Sequence, residues 1–181
     1  MIWPNWNRCT YRNRRQSSVL NGVNENSKLE VRIREMTEAD LPQVVSLEKR
    51  IFSDPWPRSA FLEQITDGGW GAIVAEADDR IIGYACYFIV DGECHLTNMA
   101  VDPACRRKSV ARKLLEAILG IVQESGCEYL LLEVRPSNVE ARAFYERFGF
   151  SLLCRKPYYY RHPVEDALVL VRYLKHGKEA L

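Results

Sequence analysis

The sequence lacks a long hydrophobic run, and no stretch approaches the ~20 apolar residues that a transmembrane helix requires. It also lacks an excess of either charge, because 25 Lys and Arg residues oppose 24 Asp and Glu residues, for a formal net charge of +1. Such a chain produces no strong long-range field, which disfavours a general nucleic-acid-binding or membrane-surface protein. The first residues contain no hydrophobic h-region, so we expect no secretory signal.

Metal-ligand motifs are missing as well. The six cysteines are scattered, and no two of them form a Cys-x-x-Cys pair. His95 lies beside Cys94, but no second pair of ligands follows at zinc spacing. We therefore expect no bound metal, reduced thiols and a cytoplasmic location.

The first 30 residues differ in composition from the rest of the chain. They are rich in Asn, Arg and Ser without hydrophobic periodicity, which predicts a disordered basic tail over residues 1–30. The aromatic and Arg residues of this tail could instead bind RNA by stacking and phosphate contacts. Residues 31–181 contain no repeat or linker, and with 47% hydrophobic residues overall the chain can form one domain with a core.

The order of predicted elements in residues 31–181 indicates an α+β fold. The predicted strands are 31–35, 71–77, 81–90, 93–101, 130–132, 150–155 and 167–174. A capping box at Thr37–Asp40 begins the first helix, and Pro57 begins the second. The first helix carries Leu41, Val44, Val45, Glu48 and Ile51 at helical spacing. Antiparallel strands followed by helix-linked strands predict a mixed central sheet covered by helices.

A segment in the middle of the chain has the pattern of an anion-binding site. An apolar strand ends at the turn Asp102-Pro103, and three basic residues follow at 106–108. Apolar residues then keep helical spacing up to Gly126. Free N–H groups and the positive end of the helix dipole at such a helix start favour a phosphate. An exposed run of charges is the ordinary alternative for these basic residues.

The next strand–turn–helix segment places two ionisable groups at one opening. Leu130 to Leu132 predict a buried strand, and Ser137 or Asn138 can cap the helix that follows. Glu133, at the strand end, and Tyr145, on the helix, could serve as a general base and a general acid. Each residue also has an ordinary structural interpretation, as a solvated carboxylate and as a core tyrosine.

These two segments resemble the acetyl-CoA-binding core of the GNAT-type N-acetyltransferases. The phosphate loop of that family has the pattern Gln/Arg-x-x-Gly-x-Gly/Ala, which Arg106 to Ala111 follow except that Ser109 replaces the first glycine. The family pattern Asn-x-x-Ala-x-x-x-Tyr-x-x-x-Gly-Phe is matched in full from Asn138 to Phe150. Within the family, the ribosomal-protein-alanine N-acetyltransferase branch is the most similar, through Phe52–Phe61, Leu132–Asn138 and Arg155–Leu168.

The resemblance, which spans about residues 31–174, implies the GNAT acyl-CoA N-acyltransferase fold and acetyl-CoA as the donor. It also implies that the acceptor is the N-terminal α-amine of a protein, namely the N-terminal alanine of a small-subunit ribosomal protein. The implied catalytic residues are Glu133 and Tyr145. The implied acetyl-CoA-binding residues are Met99, Ala100, Val101, Arg107, Lys108, Ser109, Val110, Ala111, Arg112 and Asn138. The implied substrate-binding residues are Phe52, Trp56, Tyr158 and Tyr159, all of which could instead be ordinary packing aromatics.

The substitution of Ser109 for glycine bears on the cofactor. If this position requires a left-handed backbone, a serine there costs about 1–2 kcal/mol. We expect such strain to weaken cofactor binding by about tenfold. A hydrogen bond from the serine hydroxyl to a phosphate oxygen would offset part of that loss.

The cost of removing a proton favours an α-amine over a lysine as the acceptor. An α-amine has a pKa near ~8 and a lysine near ~10.4, so deprotonation at pH 7 costs roughly 1.4 and ~4.6 kcal/mol, respectively. A single modest base is therefore better suited to an N-terminal amine. Two alternatives remain open, namely acetylation of a small amine or a lysine, and a CoA- or ribosome-binding module with weak catalysis.

Overall fold

The computed structural model describes residues 30–174. The tail predicted at 1–30 lies outside the described residues, apart from Glu30. The strands are β1 (Arg32–Glu35), β2 (Trp70–Ala77), β3 (Arg80–Val90), β4 (Glu93–Val101), β5 (Tyr129–Val134), β6 (Ser151–Arg161) and β7 (Val164–Tyr173). The helices are α1 (Leu41–Ile51), α2 (Arg58–Thr66), α3 (Val110–Glu124) and α4 (Val139–Arg147). Short 3₁₀ turns at Glu38–Asp40 and Pro103–Cys105 precede α1 and α3.

The seven strands form one mixed sheet in the order β1-β2-β3-β4-β5-β7-β6. Every neighbouring pair is antiparallel except β4 and β5, which are parallel. The parallel pairing is short, because only Glu93–Leu96 and Tyr129–Leu132 face each other. Beyond these positions the two strands are no longer paired, and a gap opens inside the sheet.

Helices cover both faces of this sheet. The apolar stripe of α3, with Leu114 and Ile118 fully buried, packs in one cluster with Leu130 and Leu132 of β5. On the opposite face, α1 and α2 pack against β2 and β3 around the buried Tyr84. The mixed sheet covered by helices that the sequence predicts is confirmed. No helix within residues 30–174 has the length and apolarity needed to cross a membrane.

Local chemistry accounts for the element boundaries. The β3–β4 hairpin turns through Asp91 and Gly92, which both have positive φ (49° and 80°), as a two-residue type I′ turn requires. Before α1, the Asp40 carboxylate accepts hydrogen bonds from the backbone N (2.8 Å) and Oγ1 (2.9 Å) of Thr37. Arg34 also donates to Asp40 (2.7 Å). These bonds, with that from Arg34 the largest contribution, lower the pKa of Asp40 to about 2.

The largest difference from the sequence prediction is the length of β6. The strand continues past residue 155 to Arg161 and carries the tyrosine run along the sheet edge. Lys156 pairs with Ala167 and Tyr160 with Glu165, so three residues of β6 face one residue of β7 in a bulge. Pro157 lies in this bulge, which explains why the sequence does not show the regular alternation of a strand.

Candidate active site

A groove of about 750 Å³ opens at the gap between β4 and β5. The α1–α2 loop, the middle of β4, the end of β5, the start of α4 and the end of β6 form its walls. Seven residues that the sequence singles out line it, namely Phe52, Trp56, Met99, Glu133, Asn138, Tyr145 and Tyr159. The fold therefore brings the predicted acid, base and aromatic wall to one opening.

The β4 wall presents unpaired backbone N–H groups to the gap. A bulge at Thr97 interrupts the pairing with β3. At the end of the strand the backbone N of Asp102 donates to the Ile82 carbonyl (2.8 Å), so Asp102 faces β3. Because hydrogen-bonding direction alternates along an antiparallel strand, Ala100 also faces β3, whereas Met99 and Val101 point their N–H groups toward the gap. These two groups can bind an extended ligand.

The predicted phosphate loop leads directly into α3. Residues 106–109 are exposed, and α3 begins at Val110. The backbone N of Lys113 donates to the Ser109 carbonyl (3.0 Å), so the preceding N–H groups of residues 110–112 lie at the open end of the helix. Arg112 pairs with Glu116 along the helix (2.8 Å). The loop thus offers an anion free N–H groups and exposed basic side chains.

Ser109 has the left-handed conformation that the glycine pattern implies. Its φ and ψ are 63° and 14°, and it occupies the N-cap position of α3. Its side chain makes no capping hydrogen bond to the helix. The backbone strain expected for a serine in this region is therefore present, and the hydroxyl is available to a ligand.

Glu133 carries a partner that the sequence analysis did not identify. The Lys156 Nζ atom donates to Glu133 Oε1 at 2.6 Å, and this bond raises the pKa of Lys156. Glu133 is mostly buried, whereas about half of the Lys156 side chain is exposed. An incoming amine that uses this oxygen as a base therefore competes with Lys156 for it. Lys156 lies in the bulged, proline-containing strand β6, so the sequence alone does not show that it pairs with Glu133.

Tyr145 fits both of the interpretations that the sequence left open. Its ring is 8% exposed and packs against Phe144 and Phe150, with centroids 5.3 and 5.5 Å away. The side chain also lines the groove, and its hydroxyl makes no hydrogen bond to any residue from 30 to 174. Burial, followed by the neighbouring Tyr160, raises the pKa of Tyr145, so its hydroxyl is protonated at neutral pH.

Asn138, rather than Ser137, caps α4. Its Oδ1 atom accepts a hydrogen bond from the backbone N of Ala141 (3.1 Å). The Nδ2 group remains as the donor for a ligand, because the cap uses only the carbonyl oxygen. Ser137 instead donates through its backbone N and its hydroxyl to Glu165 (2.6 and 2.9 Å), which ties the start of α4 to β7.

The structure places the tyrosines of β6 differently from the sequence prediction. Tyr159 lines the groove, and so does Tyr160, which lies under the Arg135 guanidinium at 4.0 Å. Tyr158, a predicted substrate-binding residue, does not line the groove and is 80% exposed. The bulge explains this outcome, since Tyr158 has a φ of 53° and its backbone N donates to Asp166 (3.1 Å).

A polar bridge connects the two loops that flank the groove. In the α1–α2 loop, the Ser53 hydroxyl donates to the His162 carbonyl in the β6–β7 turn (2.7 Å). Arg135 donates to the same carbonyl and to that of Pro163, both at 3.1 Å. The two loops that flank the groove are therefore connected, and Phe52, 37% exposed, stands beside the bridge.

Glu48 is a second residue that the sequence analysis did not connect with the site. Its side chain lines the groove although the residue is only 1% exposed. The signal was present, because a carboxylate at an apolar-face position of α1 requires buried partners. Within residues 30–174, no group of three or more His, Cys, Asp or Glu side chains is placed to hold a metal ion.

These features define an enzyme that holds a phosphate-bearing acyl donor in a split sheet, beside a groove for its acceptor. The chain belongs to the acetyltransferase (GNAT) family, whose model matches residues 41–150. It is therefore an acetyl-CoA-dependent N-acetyltransferase, as the sequence predicts.

Individual relatives match a longer part of the chain than the family model does. The [ribosomal protein bS18]-alanine N-acetyltransferase of Salmonella typhimurium is 33% identical over 141 residues, 75% of this chain and 92% of that protein. An uncharacterised N-acetyltransferase of Methanocaldococcus jannaschii is 33% identical over 155 residues, 82% of this chain and 96% of that protein. The crystal structure of the ribosomal-protein-S18-alanine N-acetyltransferase of Escherichia coli superposes with a TM-score of 0.77 at 28% identity, covering 84% of this chain and 99% of that one.

Proposed function

We propose that the acceptor is the N-terminal α-amine of a protein, and that the substrate is a small-subunit ribosomal protein with an N-terminal alanine. The observation that carries this proposal is the similarity to bS18-alanine N-acetyltransferases along nearly their whole length. A ribosomal substrate also implies that the reaction takes place in the cytoplasm.

The bridged groove supports a chain end as the acceptor. Ser53 and His162 connect the two flanking loops across the acceptor side. An N-terminus can enter beneath such a bridge end-on, since its chain continues in one direction only. A lysine inside a chain is flanked by residues on both sides, and both flanking segments would press against the same bridge. The geometry therefore favours the same acceptor as the lower free-energy cost of deprotonating an α-amine.

The reaction can be written from the residues of the groove. The neutral amine nitrogen attacks the thioester carbonyl carbon, a C–N bond forms and the C–S bond breaks. Glu133 accepts the proton of the arriving ammonium, directly or through water, which leaves the amine neutral for the attack. Tyr145 donates a proton to the departing CoA thiolate and regains one from the attacking nitrogen, which becomes the amide nitrogen. The products are the N-acetylated chain and CoA with a free thiol.

The same proposal assigns the donor side. The N–H groups of Met99 and Val101 hold the pantetheine arm or polarise the thioester carbonyl. Ala100 lies between these two residues and points its own N–H group toward β3. The loop and helix start from Arg107 to Arg112 hold the pyrophosphate, through Lys108, Ser109, Val110 and Ala111. The Asn138 amide donates to the cofactor. Phe52, Trp56 and Tyr159 form the wall for the first residues of the acceptor.

The direct test of the substrate is mass spectrometry of ribosomal protein N-termini in cells with and without this gene. We expect one small-subunit protein with an N-terminal alanine to lose its acetyl group when the gene is deleted. Complementation with a Tyr145→Phe variant serves as the control for activity. Unchanged acetylation of every ribosomal N-terminus after deletion would contradict the proposed substrate.

A further inference from the structure

Glu48 is a buried carboxylate beneath the groove that the reaction above does not use. It lies in the third turn of α1, on the side that packs against β3 and β4. A buried charge is costly unless the protein provides partners for it. A carboxylate buried next to the groove therefore calls for a functional explanation.

Three donors from three elements converge on this carboxylate. Oε1 accepts from the backbone N of Trp56 (3.0 Å) and from Asn98 Nδ2 (3.2 Å), and Oε2 accepts from the Tyr84 hydroxyl. All three groups donate, which an ionised carboxylate can satisfy as an acceptor. Burial, followed by the charge of Glu48, raises the pKa of Tyr84, which keeps that hydroxyl protonated.

None of these donors is a cation. Within the part of the chain that the structure describes, no Lys, Arg or His lies within ion-pair distance of Glu48, whereas Glu133 is already paired with Lys156. The remaining titratable neighbour is Cys86 of β3, whose pKa is raised by burial and then by the charge of Glu48. The Glu48 carboxyl group thus lines the groove without an internal counter-ion, in surroundings where charges interact strongly.

We propose that Glu48 is a positioning residue that holds the α-ammonium group of the acceptor in the groove. Its charge attracts the ammonium into the groove that Glu133 also lines, and its hydrogen bonds fix Trp56 of one wall against Asn98 of the other. The inference rests on the proposed function, because it requires an acceptor that arrives with a protonated amine. A primary ammonium at the end of a peptide is the ligand class that this arrangement fits.

A pair of matched peptides tests the electrostatic part of this inference. One begins with alanine, and the other carries a propionyl group in its place, which removes only the amine. Binding to the CoA-loaded full-length protein is measured by calorimetry at pH 6.5, where an α-amine of pKa ~8 is mostly protonated. We expect the wild type to prefer the alanyl peptide, and Glu48→Gln to reduce that preference by about tenfold.

The variant should fold, because glutamine can keep all three contacts. Its oxygen can accept from Trp56 and Asn98, and its amide group can donate to the Tyr84 hydroxyl, which then acts as an acceptor. Tyr84→Phe provides a second variant that loses one hydrogen bond and keeps the Glu48 charge, so the preference for the alanyl peptide should persist. Asp40→Asn, which changes a buried carboxylate outside the groove, should also leave the preference unchanged.

The possible results separate the two proposals. If Glu48→Gln weakens both peptides equally and keeps the preference, Glu48 is structural only and the inference is wrong. If Tyr84→Phe abolishes the preference as strongly as Glu48→Gln does, the hydrogen bonds rather than the charge are responsible, and the inference is again wrong. If the wild type binds neither peptide, the proposed function fails and the inference fails with it.

Discussion

At the scale of single residues, Tyr145 carries the clearest prediction. Tyr145→Phe should lower kcat by about 10²-fold or more, the usual scale of general acid–base help. Acetyl-CoA affinity and thermal stability should change little, because the hydroxyl has no hydrogen-bond partner within residues 30–174. Steady-state kinetics, calorimetry and thermal unfolding measure the three quantities. A kcat within threefold of the wild type would leave Tyr145 with a packing role alone.

The ion pair on Glu133 leads to a prediction about the acceptor. Lys156→Met should lower KM for an N-terminal peptide, because the incoming ammonium no longer has to displace the lysine from Glu133. Lys156 is half exposed, so the pair is worth at most about 1 kcal/mol and the change should not exceed about fivefold.

Arg155→Met is the matched control for this prediction. Arg155 is the neighbouring exposed cation, and its partner is Asp166 (3.8 Å) rather than Glu133. Its replacement should leave KM unchanged. A higher KM in Lys156→Met would mean that the lysine orders Glu133 for the acceptor and does not compete with it.

Ser109 connects backbone strain to stability. The folded protein holds this residue in the left-handed conformation, so a cost of about 1–2 kcal/mol falls on folding. The expectation that this strain also weakens cofactor binding stays a prediction. Ser109→Gly should raise stability by at most about 1 kcal/mol, since glycine also increases the entropy of the unfolded chain.

The comparison of Ser109→Gly with Ser109→Ala separates the effect of the hydroxyl from the effect of backbone strain. The alanine variant keeps the strain and loses the hydroxyl, so its stability should stay close to that of the wild type. Calorimetry with acetyl-CoA should show a similar, modest loss of affinity in both variants if the hydroxyl donates to a phosphate. Tighter binding by Ser109→Gly alone would show that the loop changes conformation when the cofactor binds.

At the scale of elements, the start of α1 gives a prediction about pH. Hydrogen bonds from Arg34 and Thr37 lower the pKa of Asp40 to about 2 in the folded protein, against ~3.9 when unfolded. A lowered pKa stabilises the fold above pH ~4, and this contribution of about 2 kcal/mol is lost as the pH falls toward 2. Asp40→Asn should remove it at pH 7 and leave a smaller loss of stability between pH 4 and 2. Chemical denaturation of both proteins across this range measures the difference.

The elements also show which parts of the structure the sequence could predict. The helices α1, α3 and α4 and the β2–β4 meander lie within a few residues of their predicted positions. The reason is that capping residues, the turns at Asp78-Asp79 and Asp91-Gly92, and apolar periodicity are local signals. The extension of β6 was missed, because its bulge and Pro157 remove the alternation that identifies a strand. The placement of Tyr158 outside the groove follows from that bulge.

At the scale of the whole molecule, the site depends on a non-local feature. The gap between β4 and β5 arises because their pairing stops at Leu96 and Leu132. No local sequence pattern in either strand predicts where this pairing ends. Motif resemblance located Glu133 and Tyr145 without it. It did not indicate Lys156 or Glu48, since each comes close to Glu133 or to the groove only through contacts with distant elements.

The central proposal is that acetyl-CoA donates its acetyl group to a protein N-terminus in this groove. The most direct measurement uses one peptide that has a free N-terminal alanine and an internal lysine, incubated with the protein and acetyl-CoA. Tandem mass spectrometry then locates the acetyl group. We predict acetylation of the alanine α-amine, with little on the lysine and little by the Glu133→Gln variant at pH 7. Acetylation mainly on the lysine, or an equal rate with Glu133→Gln, would contradict it.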